Sequence, residues 1–128
     1  MLPFTDTARP LGTNSEPDII WVGSRESCYK HGGAFLDESQ VCVVSFEDMT
    51  ASLIDRVRPA HIYSCLFASD FDGTELAIRL QSSGFHGHYT AIAEDVPDPE
   101  VILRDVRMAA PTLHFDLIVT TAIPARLN

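Results

Sequence analysis

Five short apolar runs alternate with stretches of helical or turn-forming pattern, and that alternation leaves the chain few ways to fold. The first run, Ile19, Ile20, Trp21 and Val22, is continuous rather than alternating, as a strand buried on both faces requires. Residues 41–46, 60–67, 89–93 and 115–120 supply the other four. Between them, Phe46, Met49, Leu53, Ile54 and Val57 recur at helical spacing until Pro59 stops the pattern. The stretch from Ser69 to Gly73 is turn-forming, and Leu76, Ile78 and Leu80 then mark a helix that ends before Gly84. A helix over 99–109 turns Val101, Ile102 and Val106 inward. The first crossover, 23–40, holds at most a short or broken helix, because each residue of the Gly32-Gly33 pair costs about 1 kcal/mol relative to alanine.

Strands joined through helices return to the same edge only as parallel neighbours, so the expected architecture is α/β, with a parallel five-stranded sheet between helical layers. In such sheets, sites form beyond the carboxyl ends of the strands. Gly23-Ser24, Cys65-Leu66-Phe67, Ala93-Glu94 and Thr120-Thr121 are therefore expected to converge.

Charge and cysteine content narrow the function classes. A net charge of -9 on 128 residues repels a phosphate backbone, which argues against nucleic acid or an anionic membrane surface as a partner. No apolar run approaches the roughly 20 residues of a spanning helix, and no signal-peptide pattern opens the chain; a cytoplasmic location is expected. Residues 1–17, with three prolines and no apolar periodicity, are expected to be a flexible leader to a domain over 18–128. Cys28, Cys42 and Cys65 match neither a CxxC pair nor a zinc module, and only His86 and His88 among the histidines lie close in sequence. Reduced, buried thiols and no metal or cofactor are the expectation.

The segment from Arg58 to Leu76 resembles the central signature of response-regulator receiver domains: a proline before the third strand, then a loop closed by Asp-Gly-x-Glu-Leu. Pro59, Asp72, Gly73, Glu75 and Leu76 keep that spacing without a gap. The similarity continues through Ser83-Gly84-Phe85 to Phe115-Asp116-Leu117-Ile118, covering most of 18–118. It implies a flavodoxin-like doubly wound sheet of order 2-1-3-4-5. It also implies where a phosphoryl-transfer site would lie, and there the residues depart from the family. The phosphate-accepting aspartate falls on Cys65, the magnesium-binding acidic pair on Gly23 and Ser24, the switch hydroxyl on Ala93, and the lysine on Thr121, beside Ala122.

Phosphoryl transfer depends on positioning and electrostatic stabilisation of the transferring oxygens, so these replacements remove its terms together. The expectation is a non-enzymatic pseudo-receiver acting through protein contacts in a bacterial two-component-type pathway. Asp70, Asp72, Glu94 and Asp95 are the carboxylates available as substitutes, but Asp72 reads as a helix cap and Asp70 as a solvated loop residue. Trp21 and His61 read as packed strand residues. By family resemblance the contact surface is helix four with strand five, where Ile102, Arg104, Val106, Arg107, Phe115 and Leu117 lie. A flavodoxin-like ligand-binding domain or enzyme, and a redox sensor centred on Cys65, are the alternatives.

Receiver domains carry a fifth helix after strand five, and residues 121–128 are too few for it. Its absence implies an exposed apolar strip to which Phe115, Leu117 and Val119 contribute. A homodimer, the leader folded back, or a continuation into an output domain would cover it.

Overall fold

The computed structural model describes residues 18–33, 36–37 and 40–120. The expected leader and Thr121 lie outside the described residues. Strands β1 (Ile19–Val22), β2 (Val41–Val44), β3 (His61–Cys65), β4 (His88–Glu94) and β5 (His114–Thr120) form one sheet of order β2-β1-β3-β4-β5. All four pairings are parallel, as the flavodoxin-like doubly wound fold requires.

Four crossovers join the strands. The first contains α1 (Arg25–Ser27), which runs directly into a π-helical turn over Cys28–Gly32. The others contain α2 (Ala51–Val57), α3 (Gly73–Ser82) and α4 (Pro99–Ala109). The first helix is as short as the glycine pair implied, but packing adds a reason: a Cβ on Gly32 would sit 3.0 Å from the Trp21 ring. Strand β2 ends at Val44, two residues before the sequence pattern does. Phe46 instead stacks on Phe71 at 4.8 Å, with the Arg79 guanidinium 4.0 Å above its ring. Thr50 then caps α2, accepting from the Leu53 amide. In α3 the buried positions are Gly73, Leu76, Ala77 and Leu80, while Ile78 turns outward.

Helices α2, α3 and α4 bury one face of the sheet. Ile20, Val22, Ile62, Tyr89, Ala91 and Phe115 from the strands meet Ile54, Leu76, Leu80 and Val106 from the helices. On the other face a smaller cluster joins Trp21, Cys65 and Ile92 to Cys28 of the π-helical turn, with Val43, Tyr63 and Ile118 at its margin.

Two expectations about the surface need correction. Phe115 is 3% exposed and Val106 fully buried, both in the large core, so neither is available to a partner. Leu117 packs half-buried against the same core, because alternation along β5 places it with Phe115. The expected apolar strip is therefore not formed by Phe115 and Leu117. The opposite side of β5 carries His114, Asp116 and Ile118, the first two exposed. Among the described residues, no helix is long and apolar enough to cross a membrane.

Candidate functional site

The carboxyl edge of the sheet brings Gly23, Ser24 and Cys65 around one open cavity of about 680 Å³. Gly23 leaves β1 with its amide donating to the Val44 carbonyl at 2.8 Å and with φ of +139°, a conformation open to glycine and costly for other residues. A Cβ there would also lie 3.0 Å from Ser27 Oγ. Ser24 is the N-cap of α1. Its Oγ accepts from the Ser27 amide at 3.0 Å, and Ser27 Oγ accepts from the Ser24 amide at 3.2 Å. Trp21 Nε1 donates to the same Ser27 Oγ at 2.9 Å, which ties the cap to the core.

Cys65 ends β3 and is 9% exposed. Burial pushes its thiol up to about 11, the nearby negative charge of Glu94 adds to that, and Lys30 opposes it weakly. Its carbonyl accepts from Ser64 Oγ at 2.9 Å, and Ser64 Oγ lies 2.7 Å from the Tyr89 hydroxyl. Burial, partly offset by this hydrogen bond, raises the Tyr89 phenol above its ordinary range.

Beyond β3, the Leu66 carbonyl receives the Gly73 amide at 2.7 Å, which folds the loop back on the strand. Phe67 is left 71% exposed at the rim. Asp72 caps α3 as expected: its carboxylate accepts from the Glu75 amide at 2.9 Å, and Glu75 reaches back to the Asp72 amide at 3.1 Å. Asp70 is exposed at the cavity edge and is the one carboxylate among the described residues that line the cavity. Ala93 is buried in the core away from the cavity. Glu94 and Asp95 project outward after it, Asp95 with φ of +51° and its amide donating to Thr120.

These residues do not fit magnesium, which demands near-octahedral oxygen ligation. Gly23 has no side chain, Ser24 Oγ is engaged in a cap, and Cys65 offers a protonated sulfur. Among the described residues no group of three or more histidine, cysteine or carboxylate side chains is placed to hold an ion. What remains is a recess of hydroxyls, Ser24, Ser27, Ser45 and Ser69, bounded by Phe46, Phe67 and His31. Sequence reading found Gly23, Ser24 and Cys65 from strand ends alone. It missed His31, Ser45 and Phe46, which reach the recess from a π-helical turn and a post-strand loop that no periodicity marks. No protein-family model matches this chain, and no curated protein is significantly similar to it.

Proposed function

We propose that this chain is a phosphorylation-independent pseudo-receiver, a module that works by protein-protein contact in a two-component-type signalling pathway. The observation that carries the reading is the carboxyl edge itself: a cap serine, a positive-φ glycine and a desolvated thiol stand where phosphoryl chemistry needs carboxylates. The sheet order and the Asp72–Glu75 capping box support the receiver-like frame around it. The exposed part of the α4 and β5 side, Arg104, Arg107 and Met108, with Ile102 half-buried beside them, is the contact surface of this proposal. Incubation with acetyl phosphate and magnesium, followed by intact-mass measurement, tests it. No phosphoryl adduct is expected on the wild-type chain or on Cys65→Asp, because the acceptor alone does not restore the ion-binding pair. An adduct on the wild type refutes the proposal.

A second reading rests on the cavity. A recess of about 680 Å³ with hydroxyls and an exposed phenylalanine at its rim has the size of a small-ligand site. Screening nucleotides and flavins for a rise in melting temperature separates this reading from the first. The redox alternative has less support, since a sensor thiol needs a lowered pKa and Cys65 is shifted upward.

A further inference from the structure

Three of the five histidines stand in a single cross-strand row. His61 pairs in register with His88, and His88 with His114, at the amino-terminal ends of β3, β4 and β5. Side chains in register on adjacent strands share a face, and neighbouring strands lie about 4.8 Å apart. The rings accordingly stand side by side, with centroids 5.6 Å apart for His61 and His88 and 5.3 Å apart for His88 and His114. This is the sheet face opposite α2, α3 and α4, at the far end from the cavity described above.

The two pairs differ in access. His61 is half-buried and its other side faces the Tyr63 ring at 6.0 Å. His88 and His114 are both exposed and line one open cavity of about 340 Å³, together with Asp116 and Arg107. His86, though two residues from His88, lines a different cavity with Pro59 and Arg58.

We propose that His88 and His114 form a two-imidazole binding site for a divalent transition-metal ion such as zinc or nickel, completed by water. An imidazole nitrogen binds zinc at about 2.0–2.1 Å, so the centroids of two rings on one tetrahedral ion stand about 5 Å apart. The 5.3 Å between these rings matches that spacing, and the rings, being exposed, are free to turn their nitrogens toward a common point. Neutral imidazoles are good ligands for such ions, whereas an anion would need both rings protonated side by side. Two nearby charges oppose one another: Asp116 favours the cation, and Arg107 disfavours it while donating to the Phe115 carbonyl at 3.3 Å. The net charge of -9 tips the balance by raising the local cation concentration.

Calorimetric titration of the full, untagged, chelator-treated chain with nickel chloride tests the site, with thermal melts run to check that each variant folds. One ion per chain is expected, and His88→Gln or His114→Gln should each weaken binding by about tenfold or more. His86→Gln and His31→Gln should leave it unchanged. Paramagnetic broadening of amide signals by the bound nickel should centre on residues 88 and 114. Absence of binding to the wild-type chain, wild-type affinity in His88→Gln and His114→Gln, or broadening centred elsewhere overturns the proposal.

Discussion

Ser64 and Tyr89 form a 2.7 Å hydrogen bond between side chains that never reach solvent, and the two partners are not equivalent. Ser64→Ala strands a buried phenol, which costs about 1–3 kcal/mol. Tyr89→Phe keeps the Ser64 donation to the Cys65 carbonyl and loses only one bond, about 1 kcal/mol. Urea unfolding of both single variants and the double variant should show the serine change as the costlier one, and the double variant as less than the sum. The adjacent Cys65 thiol carries a pH prediction. Its acid dissociation is raised from 9.0 to about 11 in the fold, so the folded state retains a proton that the unfolded chain releases. That stabilising contribution is whole below about pH 9 and is lost as pH rises through about 11. Labelling of Cys65 by a thiol reagent should therefore be slow at neutral pH and accelerate toward pH 11, and Cys65→Ser should flatten part of the alkaline loss of stability. The sequence reads Cys65 as a buried, reduced thiol, and it is 9% exposed; the Ser64–Tyr89 pair was not legible, because it depends on two strands lying side by side.

At the scale of elements, the most readable feature was the start of α3. Asp72, Gly73 and Glu75 form a helix-opening signal with a local mechanism: a capping box whose two bonds span three residues, and a glycine beside Leu66, where a Cβ would lie 2.7 Å from the Leu66 side chain. Asp72→Ala should cost about 1 kcal/mol by removing the cap, whereas Asp70→Ala, exposed in the loop, should change thermal stability little. A matched pair of melting curves checks both. The same mechanism explains why both ends of α4 are legible: Asp98 accepts from the Val101 amide, Pro99 opens the helix, and apolar residues recur inward. Where no local signal exists, the reading slipped. Strand β2 was drawn through Phe46, whose apolar character serves stacking on Phe71 rather than the sheet. The π-helical turn went unseen, because its Cys28 is held by the tertiary cluster with Trp21 and Cys65.

For the molecule as a whole, alternation decides which face of β5 meets solvent, and that choice bears on association. Had Phe115 and Leu117 faced outward, an apolar strip would have driven two copies together. They face the α4 side, and the opposite surface presents His88, His114 and Asp116 to solvent, with Thr90 buried beside Asp116 and Ile118 half-buried beyond it. Polar surface of this kind contributes little to self-association, and a net charge of -9 makes two copies repel one another. Light scattering of the full chain at micromolar concentration and low salt should therefore return the 14.1 kDa mass of one chain. Added salt screens the repulsion beyond about 10 Å at 0.1 M without creating an apolar contact, so the mass should stay that of one chain as salt rises. Doubling at low salt would mean that some other surface supplies the burial, and the exposed Met108 beside Arg104 and Arg107 on α4 is where substitution to glutamate should then restore the single-chain mass.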